Sequence, residues 1–165
     1  MNKYTQELMD YMQNITVIDA HEHLLPERHR IIFRPDLFVL FSLYIPFDIR
    51  SAGYIPEETG NNYFLDQKIP LKKRWDKFFP YWENIKFSGY GQSALYAARL
   101  VYDVDDINGD TYQELSNKIN SFNKTGLYEH VLKNICNIRY ILNQSEDNSC
   151  FEDMFLQVYP AYNLC

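Results

Sequence analysis

The chain has 165 residues, a net charge of −6 and an aromatic content of 16%. This composition is typical of a globular chain, and the acidic balance excludes the broad basic surface with which proteins bind nucleic acid. The one basic cluster, 72–74, falls on a predicted amphipathic helix, which favours a solvated charged face. We therefore expect no nucleic-acid partner.

The cysteines and the apolar segments indicate the cellular compartment. Cys136, Cys150 and Cys165 are odd in number and lack the spacing of a metal site, so we expect reduced thiols rather than a disulfide framework. The first residues lack the basic-then-apolar layout of a signal peptide. The longest apolar run, 37–45, is about half as long as a membrane span. These features predict a cytoplasmic protein without a membrane partner.

A helix and a strand are predicted at the start of the chain. Tyr4, Leu8 and Met12 recur at helical spacing, which predicts an amphipathic helix over about the first dozen residues. The apolar, β-branched run 15–20 then predicts a strand, which leads into His21-Glu22-His23.

The His-x-His sequence at the strand end carries the clearest chemical signal. Successive side chains on a strand point to opposite faces, so His21 and His23 leave one face and Glu22 leaves the other. Two imidazoles at this spacing can bind one divalent metal ion, and metal-dependent hydrolases carry such ligands at the C-terminal end of a barrel strand. The alternative is that two histidines fall by chance on a solvated strand end. We predict that both are metal ligands.

Residues 24–135 are predicted to contain loops followed by helices. Prolines and turn-like segments punctuate 24–70, which predicts a loop-rich excursion with one short buried helix near 36–44. Helical spacing then predicts helices from residue 71 onward, the first opened by Pro70 and a later one by a capping box of Thr111 with Glu114. The residues expected in their core include Trp75, Phe79, Leu95, Leu115 and Val131.

Two further strands are predicted, at 138–142 and at 155–159. More than about a hundred residues separate strand 15–20 from strand 138–142, whereas a normal crossover takes roughly a dozen. We therefore predict a single domain over 1–165 with a large helical insertion at about 24–135. In a barrel, the connection after a strand emerges on the catalytic face, so such an insertion would cover a metal site there.

Residues 17–24, Val-Ile-Asp-Ala-His-Glu-His-Leu, resemble the first-strand signature of the amidohydrolase superfamily, especially the amidohydrolase-related branch that includes the uronate isomerases. The order of several later features is similar to the helical insertion between the first two barrel strands in this branch: Trp82, 88–92, 110–112, 126–128 and 137–138. The resemblance implies an α/β fold, namely the N-terminal part of a TIM (β/α)8 barrel with its first strands and a large helical insertion.

The resemblance also implies a reaction. His21 and His23 would bind a divalent metal ion, with zinc expected, and the family would add a histidine and an aspartate from later strands. The metal would activate a water molecule toward a small polar amide, ester or lactone, the expected small-molecule substrate. A uronate-isomerase-like or decarboxylase member would use the same two ligands. A non-enzymatic helical interaction module with incidental histidines is the third alternative.

The chain length limits what this resemblance can mean. A full barrel takes about 250 residues, so the resemblance implies an N-terminal fragment of a larger hydrolase. Catalytic zinc sites use three protein ligands, and the sequence offers two. We therefore expect the chain to be inactive alone, we assign no catalytic base, and we leave a homo-oligomer of the full-length enzyme open.

Overall fold

The computed structural model describes residues 2–56, 63–144 and 153–158, and the chain divides into two compact units. The sheet unit comprises Met1–Phe33 and Lys124–Cys165, and the helical unit comprises Arg34–Asn123. The elements of the sheet unit are α1 (Lys3–Gln13), β1 (Val17–Glu22), α2 (Glu27–Arg30), a π-helix (Glu129–Ile135), β2 (Ile138–Asn143) and β3 (Phe155–Gln157). Those of the helical unit are a 3₁₀-helix (Leu37–Phe41), α3 (Ile45–Ser51), α4 (Leu71–Ile85), α5 (Gly89–Tyr102) and α6 (Tyr112–Phe122). The fold is mixed α/β and mostly helical.

The sheet contains three parallel strands in the order β1-β2-β3. Val17 of β1 pairs with Ile138 of β2, which confirms that the predicted strands 15–20 and 138–142 are parallel neighbours. The strand predicted at 155–159 is confirmed over Phe155–Gln157, and residue 159 lies outside the described residues. Among the described strands, β1 pairs with β2 alone.

Helix α1 forms as predicted but buries none of its side chains. The Asn2 side chain caps it by accepting the Thr5 N–H at 2.8 Å, a local bond that requires no tertiary partner. The apolar side chains of the helix face solvent: Tyr4 is 79% exposed and Leu8 is 58% exposed. The helical spacing of these residues therefore predicts the helix correctly, although the apolar face of the helix stays exposed.

The described buried residues of the sheet unit are Pro26, before α2, and residues on β2, on β3 and in the turn before the π-helix. Ile141 has no exposed surface, and the Tyr128 ring centroid lies 6.1 Å from that of Phe155. Val131, predicted to be in a helical core, is only partly buried on the π-helix. The hydrogen bonds of a π-helix span five residues, so positions four apart no longer share one face as they do in an α-helix.

An aromatic core fills the helical unit. Phe78 and Trp82, one turn apart on α4, are fully buried, and their ring centroids lie 6.1 Å apart. Trp82 donates its indole N–H to the Ile107 carbonyl at 2.7 Å, which satisfies the only polar atom of that side chain. The short buried helix predicted near 36–44 is confirmed as the 3₁₀-helix, but the expectation of one helix within 24–70 is wrong, because α2 and α3 also form there. The remaining predicted core residues of this unit are buried or partly buried: Trp75, Leu95, Leu115 and Phe79.

The cluster 72–74 is not the uniformly solvated face that the sequence predicts. Lys72 is exposed, and its hydrogen bond to the Asp76 carboxylate at 2.7 Å raises the lysine pKa. Arg74 is only 3% exposed, pairs with Asp36 at 2.6 Å and donates to two backbone carbonyls. The prediction is wrong for Arg74 because a guanidinium has five donors and can satisfy several buried acceptors at once.

The capping box predicted at Thr111 and Glu114 is wrong. Thr111 does precede α6, but its side chain makes no capping hydrogen bond. The hydroxyl donates to the Asp106 carbonyl at 2.7 Å and accepts the Asn108 N–H at 3.0 Å. The preceding turn therefore competes successfully for the side chain that the helix would have used.

The helical unit occupies residues 34–123 of the insertion predicted at 24–135. Among the described cysteines, Cys136 is free and exposed, and desolvation by the neighbouring protein atoms raises the pKa of its thiol. Cys150 and Cys165 lie outside the described residues.

Within the described parts of the chain, no helix is both long and apolar enough to cross a membrane.

Candidate metal centre

The two predicted ligands lie where β1 ends and its pairing with β2 becomes irregular. Between Asp19 and Glu22, β1 advances by one residue more than β2 does, which is a β-bulge. The Asp19 carboxylate accepts the His21 N–H at 3.2 Å and so satisfies a backbone donor within the bulge. Bulges of this kind redirect side chains at the rims of sheets, and here the redirected residues include His21.

The imidazoles of His21 and His23 converge, as the strand geometry predicts. Their Nε2 atoms lie 3.1 Å apart, and their ring centroids lie 4.8 Å apart with an interplanar angle of 80°. Both residues are exposed, so solvent and dissolved ions reach the two nitrogens. The predicted convergence of the two rings is therefore confirmed.

A separation of 3.1 Å between the Nε2 atoms suits two arrangements. Two nitrogens bound to one zinc ion at about 2.0–2.1 Å, with an angle of about 90–110° at the metal, lie about 2.8–3.4 Å apart. The second arrangement is a hydrogen bond in which one neutral imidazole donates to the other. The donor set of the pair, two imidazole nitrogens on one side of a strand end, fits a borderline-soft divalent metal such as zinc.

Asn143 bonds the backbone beyond His23 to β2. Its side chain, 6% exposed, accepts the Leu24 N–H at 2.9 Å and donates to the Leu24 carbonyl at 3.0 Å. On the other side of His23, the Glu22 carbonyl accepts the Gln144 N–H at 2.7 Å. The two residues that flank His23 are therefore both hydrogen-bonded to β2 or to the residue that follows it.

Glu27 and Tyr128 hold the segment after His23 at its other end. The Glu27 carboxylate accepts the N–H groups of Gly126 at 3.0 Å and Tyr128 at 2.7 Å. The Tyr128 hydroxyl donates to the Leu25 carbonyl at 2.7 Å. Gly126 has a φ of +93°, a left-handed conformation that glycine adopts without steric cost. The segment that begins at His23 is therefore fixed along its length.

Asn143 and Glu27 are not among the sequence-predicted site residues. The signal for Asn143 is a polar amide directly after the apolar run 138–142, at the carboxyl end of a parallel strand, where sites of α/β proteins form. Glu27 carries no comparable local signal, because its two backbone partners lie 99 and 101 residues away.

The histidines form a pair rather than a complete ligand set. Within 2–56, 63–144 and 153–158, no three His, Cys, Asp or Glu residues are grouped so that they could hold a metal ion. The other histidines belong to different surroundings: Arg28 donates to the ring of His29 at 3.3 Å, and His130 is exposed on the π-helix. Glu22, predicted to point away from the pair, is partly buried.

A cavity of about 710 Å³ begins at the opposite end of the strands and reaches Glu27 and Gly126, which support the segment after His23. It is lined by Thr16, Asn137 and Met154, which come just before the three strands, and by charged residues that include Lys133 and Arg139. In open α/β sheets, ligands bind outside the carboxyl ends of the strands, where His21 and His23 lie. Because the cavity is at the amino ends, it is not the location expected for the catalytic site.

No protein-family model, curated protein or solved structure matches the chain. The resemblance of residues 17–24 to the amidohydrolases therefore stays a prediction. It rests on the sequence motif of residues 17–24.

Proposed function

We propose that His21 and His23 bind a divalent metal ion, zinc, in the first part of a metal-dependent hydrolase of the amidohydrolase type. The observation that carries the proposal is the 3.1 Å separation of the two Nε2 atoms at the carboxyl end of a parallel strand. In barrel enzymes, the carboxyl ends of the strands carry the catalytic residues.

The proposed fold is a partial TIM barrel, in which β1 and β2 are the first two strands. Two features support it. The strands are parallel neighbours despite their separation in sequence, and β1 pairs with β2 alone among the described strands. Catalytic zinc sites use three protein ligands, so the proposal requires at least one further ligand from another strand. The chain on its own then has no hydrolase turnover.

The chemistry assigned to the chain's own residues is limited to binding. When bound, a zinc ion lowers the pKa of its water and polarises a substrate carbonyl, which suits a small polar amide, ester or lactone. For His21 and His23 to bind through Nε2, each ring must be neutral and carry its proton on Nδ1. The bulge at Asp19 and the bonds of Asn143 hold the backbone that carries these rings. Sugar-acid isomerisation or decarboxylation is also compatible with these two ligands.

Metal titration of the full 165-residue chain tests the proposal. We expect one zinc or cobalt ion to bind per chain, weakly, with His21→Ala and His23→Ala each lowering the affinity. The loss should exceed the roughly 10–100-fold that removal of an outer-shell partner costs, because a ligand itself is removed. Isothermal titration calorimetry measures this with zinc, and the visible absorption of bound cobalt provides an independent signal.

His130→Ala is the matched control, since it removes an exposed histidine from the π-helix of the same unit. This variant should bind metal as the parent chain does. Equal affinities in the parent chain, His21→Ala and His23→Ala, or no binding by the parent chain, would contradict the proposal and favour the helical interaction module with incidental histidines.

A further inference from the structure

We infer that Asn143 is a positioning residue that holds His23 in register for metal binding; this inference rests on the proposed metal site. The side chain of Asn143 is buried and uses both its acceptor and its donor on one residue, Leu24, directly after the histidine. Leu24 lies 119 residues away in sequence. The contact therefore exists only in the folded sheet unit.

The amide of Asn143 acts as an extension of the β1–β2 ladder. Strand pairing of β1 ends after the bulge, at Glu22, whose carbonyl accepts the Gln144 N–H at 2.7 Å. Two residues after Glu22, the side-chain amide of Asn143 takes the place of a backbone peptide group of β2. It donates an N–H to the Leu24 carbonyl, and its oxygen accepts the Leu24 N–H. An asparagine side chain contains the same amide group as the backbone, so the replacement preserves donor and acceptor alike.

This extension limits the freedom of the His23 backbone. With Glu22 and Leu24 both hydrogen-bonded, His23 is left mainly with rotation of its own side chain. Its Nε2 atom must stay about 3 Å from that of His21 for both to bind one metal ion. Metal sites lose affinity when their supporting groups permit displacements of about an ångström, and outer-shell substitutions typically cost about 10–100-fold in metal affinity.

Zinc titration of the full chain carrying Asn143→Ala tests the inference. We expect the affinity to fall by about 10–100-fold while both histidines remain in place. Asn143→Asp keeps the acceptor for the Leu24 N–H but lacks the donor for the Leu24 carbonyl, so its affinity should lie between those of the alanine variant and the parent chain. An unchanged affinity in Asn143→Ala would overturn the inference.

Asn137→Ala is the matched control at the other end of the same strand pair. Asn137 donates from its side chain to the Ile15 carbonyl at 2.9 Å, and its φ of +52° makes alanine strained there. The control variant therefore loses a side-chain hydrogen bond of the same kind, between the residues that precede β1 and β2, and its free energy of unfolding should also fall. Its zinc affinity should equal that of the parent chain. A loss as large as that of Asn143→Ala would assign the effect to general destabilisation.

A second readout separates this inference from the metal proposal. In the metal-free chain, NMR of the imidazole nitrogens and of ring-to-ring contacts reports whether His21 and His23 remain together. If the parent chain binds no zinc, the metal proposal fails, and the ring contact still tests the role of Asn143. Loss of the contact in Asn143→Ala and its retention in Asn137→Ala support positioning, whereas retention in both variants refutes it. Should the alanine variant not fold, Asn143→Asp is compared in the same two measurements.

Discussion

The helical unit contains a core of fully buried aromatic side chains, whereas the apolar side chains of α1 in the sheet unit are open to solvent. On α4, Phe78 and Trp82 have no exposed surface, whereas on α1 Tyr4 and Tyr11 are 79% and 68% exposed. Both helices have apolar residues at helical spacing. Helical spacing therefore specifies a helix and a potential contact face, whereas burial requires a second element that fits this face.

The two units should consequently differ in local stability. The core of the helical unit combines fully buried rings with satisfied polar groups, such as the Trp82 indole and the Arg74 guanidinium. The sheet unit depends on a short parallel sheet and on a few long-range side-chain bonds, including those of Glu27. Regions with few buried apolar contacts open at lower free energy, so amide exchange should be slower in α4 than in β1.

The largest expected effect tests the core of the helical unit. Trp82→Ala removes a fully buried ring and its hydrogen bond to Ile107, so the free energy of unfolding should fall by about 3–5 kcal/mol. Urea denaturation followed by circular dichroism measures this change. Tyr4→Ala, at a position 79% exposed on α1, should change the stability by less than about 0.5 kcal/mol. Comparable losses in the two variants would contradict the contrast between the units.

A smaller effect is expected where α4 and α5 approach each other. A Cβ added to Gly91 would lie 2.4 Å from the Ile85 carbonyl oxygen, so Gly91→Ala should destabilise the chain by about 1–3 kcal/mol. Gly89, two residues earlier on the same helix, has no such neighbour within 4 Å. Gly89→Ala should be neutral or stabilising by up to about 1 kcal/mol. Thermal denaturation distinguishes them, and equal tolerance of both alanines would refute the close approach.

The smallest effect concerns the sheet unit alone. Glu27→Ala removes the acceptor of the Gly126 and Tyr128 N–H groups, a capping-type interaction worth about 0.5–2 kcal/mol. Hydrogen exchange should become faster in β2 but stay unchanged in α4. The control is Glu129→Ala, which removes a residue that is 65% exposed and 3.8 Å from Lys133, and should cost less than about 0.5 kcal/mol. Faster exchange throughout both units would contradict the local role of Glu27.

Much of the secondary structure and part of the candidate site were predictable because they depend on local periodicity. The apolar, β-branched run 15–20 and the strand-forming residues of 138–142 predicted two strands, and the one-residue gap between His21 and His23 predicted their common face. Parallel pairing of the two strands was expected from the resemblance, which makes them the first two strands of a barrel. The expectations that were wrong, at Arg74 and Thr111, concern polar side chains with several available partners, where sequence alone does not determine which partner is bound.

By itself, the sequence determined the order and type of most elements and placed His21 and His23 one residue apart at a strand end, because backbone geometry repeats over about two or four residues. Only the tertiary structure decided that Asn143 bonds to Leu24, that Arg74 is buried, and that the apolar face of α1 is left open. Each of these depends on residues far apart in the chain or on a second surface. A long-range hydrogen bond or a buried contact requires two parts of the chain, so neither part by itself contains the information that specifies it.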